Sequence, residues 1–350
     1  MKTKLLYIIR LLLFMISLSV LAGCGSAGSS EPEGKTDGTD DDTIRIGITF
    51  DSFIIERWER DRDIFVSSAK DKGAEVNVQN ANGDVEKQKE QIQYFIEKKM
   101  DVIVIIAVDS NALSSEVKKA KEEGIKVIAY DRLVMDAPLD LYISFNNETV
   151  GKFMADAIID GIGGSGEILK INGPSKDNNV SLVNKGFDQE IASHDIRVID
   201  TYYASEWKGE EAFNYLSEHP AEAARAQAVM CGNDSLAGQA VRYYSEIRRA
   251  GQIPIVGQDA DLDACQRIVE GTQAMTVYKP IERLAKKAAD CAIELAKGHS
   301  VSEQLLTDSD YEVPYLYIEP IMINKDNIDG LIIGSGFHLR EDVYLKERKP

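Results

Sequence analysis

The chain has 350 residues, 44 % of them hydrophobic, enough to pack two lobes of ordinary domain size. Its formal net charge of −18 repels phosphate backbones and argues against nucleic-acid binding. The four cysteines form no CxxC pair and no Cys/His cluster, and an odd number remains once Cys24 is set apart, so neither a metal centre nor a disulfide framework is expected.

Lys2, Lys4 and Arg10 form a basic start, followed by an apolar run over residues 11–20 that is too short for an ordinary membrane span. It ends in Leu21-Ala22-Gly23-Cys24, small residues before a cysteine, which resembles the lipobox of bacterial lipoproteins. Residues 1–23 are then a lipoprotein signal peptide and Cys24 the lipid attachment site, with a retained signal anchor as the alternative. Residues 24–42 are Gly/Ser-rich and then acidic, a flexible tether with nothing to bury.

From Thr43 onward, short apolar runs alternate with amphipathic segments. Strands are expected over 44–50, 76–78, 102–106, 127–130 and 141–145, with helices over 56–72, 85–98 and 112–123. The run 102–106 is apolar throughout, as in a strand covered by helices on both faces. A second series begins near Asn147, with strands over 167–171, 197–202, 228–230, 255–256 and 274–277. Its helices lie over 181–193, 209–216, 234–247 and 262–269, and a long helix over 281–297 follows. Short strands are expected near 315–318 and 331–333. The βαβα order implies an α/β fold of two doubly wound parallel-sheet lobes joined by a multi-strand hinge. The expected first lobe is 44–146 plus 278–305, and the second is 147–277 plus 306–350. Hinge crossings are expected at Asn146-Asn147, at Val277-Tyr278 and in the tail before Tyr311.

Ligands of such sheets sit beyond the carboxyl ends of the strands. Those positions hold Asp51, then Arg57 and Trp58, Asp131-Arg132, the segment from Asn172 to Asn179, Trp207, Asn233-Asp234, Gln258-Asp259-Ala260-Asp261 and Lys279. Any one Asp or Asn there is equally a helix cap. A recurring set of Asp, Asn, Arg and Lys, joined by both tryptophans of the chain, suits a sugar. Hydroxyls both donate and accept, charged partners strengthen those bonds, and indole rings offer a flat apolar face to pyranose C–H groups.

The stretches Glu56-Arg57-Trp58, Asp61-Arg62-Asp63-Ile64-Phe65-Val66, Ala129-Tyr130-Asp131-Arg132, Tyr142-Ile143-Ser144-Phe145, Asp177-Asn178-Asn179, Gly257-Gln258-Asp259-Ala260-Asp261 and Met275-Thr276-Val277-Tyr278-Lys279-Pro280 carry a resemblance over residues 44–338. The chain resembles the D-xylose-binding proteins of bacterial ABC transporters, which have the type I periplasmic binding protein fold. The resemblance implies sugar contacts at Arg57, Trp58, Asp131, Arg132, Asn179, Trp207, Asn233, Asp259 and Lys279, with Asp177 a further candidate. It implies D-xylose or a similar monosaccharide as ligand, no cofactor, no metal and no catalytic residue. The implied partner is the membrane permease of an ABC transporter or, alternatively, the extracellular domain of a histidine kinase, met at the outer face of the membrane. The chain departs from the pattern at Asn146, where aspartate is expected, at Cys231 before Gly232-Asn233, and around Trp207.

Asp259, Asp261, Asp263 and Glu270 have calcium-loop spacing, but Ala264 stands where that loop needs glycine. The glycine-rich segment 161–166 follows a helix and precedes a strand, the reverse of a dinucleotide loop, and is a connecting turn. The histidines lie in scattered polar contexts with no Ser/His/Asp or Cys/His set.

Overall fold

The computed structural model describes residues 43–345, so the expected signal peptide, Cys24 and the tether lie outside the described residues. The first lobe begins with five parallel strands, β1 (Arg45–Phe50), β2 (Glu75–Asn80), β3 (Val102–Ile105), β4 (Lys126–Tyr130) and β5 (Leu141–Phe145). Helices α1 (Arg57–Lys70), α2 (Val85–Glu97) and α3 (Ser114–Glu122) connect the first four. β3 is Val-Ile-Val-Ile with every residue buried, because helices cover both of its faces. Asp84 starts α2 by accepting the backbone N–H groups of Glu86 and Lys87 at 2.9 and 3.2 Å.

The second lobe is built from α4 (Asn147–Ile162), β6 (Ser165–Asn172), α5 (Asn178–Ile191), β7 (Asp195–Tyr203), α6 (Glu210–Glu218), α7 (Pro220–Arg225), β8 (Ala228–Cys231), α8 (Asp234–Glu246), β9 (Ile255–Val256), α9 (Leu262–Glu270) and β10 (Thr276–Tyr278). Its parallel strands lie in the order β7-β6-β8-β9, and a bridge from Val256 to Met275 leads on to β10. Helices α4 and α5 meet backbone to backbone: a Cβ at Gly151 would lie 1.9 Å from Val183 O, and one at Gly186 would lie 1.9 Å from Glu148 O. Only glycine permits that approach. The sequence pattern places the start of the second lobe near Asn147 but sets no bounds for α4.

After β10 the chain returns to the first lobe, where α10 (Ile281–Ala296) packs on α1. β11 (Leu305–Asp308) and β12 (Tyr311–Ile318) then extend the first sheet, giving the order β11-β12-β5-β4-β3-β1-β2. β12 runs parallel to β5 with Tyr315 opposite Tyr142, and their rings stack at 5.1 Å. β13 (Ile321–Ile323) pairs antiparallel with β10 in the second lobe. A π-helical turn (Asp329–Ile333) and α11 (Arg340–Val343) end the described chain.

The tail therefore departs from expectation in three ways. Residues 306–318 belong to the first sheet, not the second lobe, because Val313 and Tyr315 pack on the cluster that contains Tyr142 and Val134. The third crossing lies at Glu319-Pro320, between β12 and β13, and not before Tyr311. Residues 331–333 form the π turn and not a strand; three apolar residues carry no period of their own, and only Ile332 is fully buried.

Candidate functional site

The three crossings leave one cleft, and the carboxyl ends of both sheets face it. On the first-lobe side, Asp131 follows β4 with a left-handed backbone, φ 64°. Its N–H donates to Ile143 O at 2.8 Å, and its carbonyl accepts Ser144 Oγ at 2.6 Å and Tyr142 OH at 3.2 Å. These β5 groups hold an unusual turn that aspartate tolerates better than most residues. Arg57, in the first turn of α1, pairs through Nη2 with Asp131 Oδ2 and lies with Nε 3.5 Å from Asp61 Oδ2, one helical turn on. Its guanidinium covers the Trp58 ring at 4.3 Å. Tyr130 OH donates to Asp61, so Asp61 backs Arg57 from behind.

Arg132 spans the two lobes. Its Nη1 donates to Asp51 Oδ2 at 2.7 Å, and its Nε lies 2.7 Å from Asp177 Oδ2 in the second lobe. Asp177 caps α5 by accepting Asn179 N–H at 3.0 Å, and also accepts Trp207 Nε1 at 3.3 Å. Asn179 Nδ2 crosses the cleft to Asp131 Oδ1 at 2.9 Å, while its Oδ1 accepts Asn147 Nδ2 at 3.0 Å. The Trp207 ring rests on Gly173, where a Cβ would come within 2.2 Å of the indole. Asp259 follows β9 in a left-handed turn, φ 102°, and its Oδ1 lies 3.3 Å from Lys279 Nζ.

A small cavity lies among these groups, lined by every sequence-predicted contact except Asn233, and also by Ile55, Asp177 and Gln258. Asn233 is not among the lining residues; its Oδ1 accepts Leu236 N–H at 2.9 Å and caps α8. Three lining cations, Arg57, Arg132 and Lys279, face three lining carboxylates, Asp131, Asp177 and Asp259. The balance favours a neutral, hydroxyl-rich ligand over an ion.

Five polar atoms at this site are buried without a hydrogen-bond partner among the described residues: Arg57 Nη1, Trp58 Nε1, Gln258 Oε1, Asp51 Oδ1 and Asp61 Oδ2. Two donate and three accept, a mixture that hydroxyls satisfy. Such atoms are costly when unpaired and uncommon away from function. Burial acts to raise the Asp131 carboxyl, but Arg57, Lys279 and Arg132 outweigh it and hold it below the usual carboxylate range. Burial dominates at Asp177, which is shifted up despite Arg132, and at Asp61, pushed up to about 6 despite Arg57.

Asp61, Gln258 and Asp51 complete the site beyond the sequence-predicted contacts. Asp51 and Gln258 obey the strand-end rule that found the others. Asp61 is signalled by its i,i+4 spacing from Arg57 on one helix face.

Among the described residues no helix is long and apolar enough to cross a membrane. The family described as "Periplasmic binding protein domain" matches residues 46–300. The chain is 42 % identical over 307 residues to the D-xylose-binding periplasmic protein of Haemophilus influenzae, covering 86 % of this chain and 92 % of that one. It is 40 % identical over 306 residues to the D-xylose-binding periplasmic protein of Escherichia coli K12, with the same coverage. Among solved structures, an ABC transporter solute-binding protein from Clostridium phytofermentans with bound β-D-glucose superposes with TM-score 0.76 at 24 % identity, covering 85 % of this chain and 99 % of that one. This chain belongs to the periplasmic binding protein family, an extracytoplasmic family, and has its type I, two-lobed α/β fold.

Proposed function

We propose that the chain binds D-xylose, or a closely similar monosaccharide, between its lobes and delivers it to the membrane permease of an ABC transporter. The observation that carries this reading is the charge-balanced cavity shared by both lobes, bordered by Trp58 and Trp207, with unpaired donors and acceptors at its wall. Each sugar hydroxyl placed there gains a charged partner, and the indoles take the C–H faces. The two D-xylose-binding relatives, 42 % and 40 % identical, support xylose over other neutral sugars.

In this reading the protein is not an enzyme. Glycoside hydrolysis needs one carboxylic acid with a proton to give. Asp131 is held ionised, and both oxygens of Asp177 already accept bonds, from Asn179 N–H on one side and from Arg132 and Trp207 on the other. In this reading Cys24 carries the lipid that keeps the protein at the outer face of the membrane.

Calorimetric titration of residues 43–350 with xylose, ribose, arabinose and glucose tests the reading. Tightest binding to xylose is expected. Equal or absent binding of all four sugars overturns it.

A further inference from the structure

The turn that presents Asp259 to the cavity has two consecutive left-handed residues, Asp259 at φ 102° and Ala260 at φ 57°. Neither is glycine, so the conformation is strained and needs outside support. Support comes from three directions. β10 supplies Val277 O to Asp259 N–H at 2.8 Å and Thr276 Oγ1 to Ala260 N–H at 3.1 Å. Buried Asp234 accepts Asp261 N–H at 3.1 Å. On the opposite side His338 Nε2, from the C-terminal tail, lies 2.8 Å from Ala260 O. The carbonyl is an acceptor only, so Nε2 carries the hydrogen.

His338 is only 8 % exposed and is itself held in place. Its neighbour Phe337 packs on Tyr278 at 4.7 Å, and the Arg60 guanidinium covers the Phe337 ring at 4.4 Å and donates to Phe337 O at 3.1 Å. Arg60 lies on α1, one turn from Arg57. The tail is thus gripped by the first lobe and in turn grips the ligand-bearing turn of the second.

We propose that His338 is a positioning residue for the binding site: its hydrogen bond to Ala260 O keeps the left-handed turn that aims Asp259 into the cavity. The inference rests on the sugar-binding reading for its effect on affinity, but the positioning itself is measurable without sugar.

His338→Leu keeps the bulk and removes the donor. Hydrogen exchange of a peptide spanning residues 258–264 in unliganded protein is expected to quicken, and the Kd for xylose to rise about tenfold, as for one lost hydrogen bond. His338→Gln, whose amide nitrogen reaches as far as Nε2, is expected to restore both, whereas His338→Asn, one carbon shorter, is not. In an Asp259→Ala background, His338→Leu should add nothing further to Kd, since it acts through Asp259. Wild-type exchange in His338→Leu, or a fully additive loss with Asp259→Ala, overturns the proposal. If His338→Leu does not fold, the Gln/Asn contrast decides: equal exchange in the two overturns it. A wild-type protein that binds no xylose refutes the sugar reading and leaves the exchange measurement to judge His338.

Discussion

Asn179 and Asp131 come from opposite lobes and touch: Asn179 Nδ2 donates to Asp131 Oδ1 at 2.9 Å and to Asp131 O at 3.2 Å. Asp131 also neutralises Arg57, so one carboxylate both ties the lobes together and pairs a buried cation. Asp131→Asn keeps the shape, and asparagine accepts the positive φ. It removes the charge that Arg57 needs, and a buried ion left with its partner gone costs about 3–5 kcal/mol. Xylose affinity is expected to fall at least a hundredfold in calorimetry, with a lower melting temperature. Unchanged affinity would contradict the placement of Asp131 at the ligand.

Gly173 sets the position of Trp207. A methyl group there overlaps the indole at 2.2 Å, and the rigid ring has to move off its seat. Overpacking of this kind costs about 1–3 kcal/mol. Gly173→Ala should therefore weaken xylose binding by about tenfold or more, and shift the tryptophan emission, because only Trp58 and Trp207 report it. A variant with wild-type Kd and emission would show that the indole is not a wall of the site.

How much of this was legible beforehand follows from the range of the interactions. The alternation of strand and helix is a local pattern, and the core strands such as Val102–Ile105 announce themselves by unbroken apolarity. The candidate residues were legible because the fold places such residues after strands or at the start of the next helix, as Arg57 and Trp58 are, and because the family resemblance picks out the same positions. Asn233 obeys the same rule and its Oδ1 also caps α8, so the two roles are not told apart by Asn233-Asp234 alone. In the tail a strand at 315–318 was legible and lies within β12, but its place beside β5 in the first sheet was not, because it is set by pairing with Tyr142, far away in sequence. Asp51 gains its meaning from Arg132, which lies 81 positions on.

Asp61 gives the fold a pH dependence of definite sign. Burial raises its carboxyl from 3.8 to about 6, against the pull of Arg57 and Tyr130. Between those values the folded protein binds a proton that the unfolded chain has released. The stability from this group is therefore fully present below about 4 and is lost as pH rises through about 6. The span corresponds to about 3 kcal/mol. Asp61→Asn removes the titration, so melting temperatures of variant and wild type should converge, or cross in favour of the variant, on going from pH 4 to pH 7. A constant gap across that range would exclude the raised carboxyl.

Cys24 lies outside the described residues, and its role is testable directly. If it carries lipid, Cys24→Ser should move the protein from the detergent phase to the aqueous phase in a detergent-partition assay of whole cells, with sugar binding intact. Equal partitioning of variant and wild type would favour a retained signal anchor instead.

Arg132 bridges the two lobes. It reaches Asp51 in one lobe and Asp177 in the other, both at 2.7 Å. Nearby, Ser110 N–H donates to Lys176 O at 3.1 Å, and Ser110 Oγ accepts Asn178 N–H at 3.2 Å, so the same edge of the cleft is bridged by backbone as well. A sugar that adds bonds to both lobes binds this arrangement more tightly than a separated one and shifts the population toward it. Small-angle scattering should show a smaller radius of gyration at saturating xylose. Arg132→Lys keeps the charge but loses the planar fork that serves both carboxylates at once. It is expected to raise Kd by about tenfold or more and to require correspondingly more xylose for the same compaction. Scattering that is identical with and without xylose in the wild type would refute closure as the response to sugar.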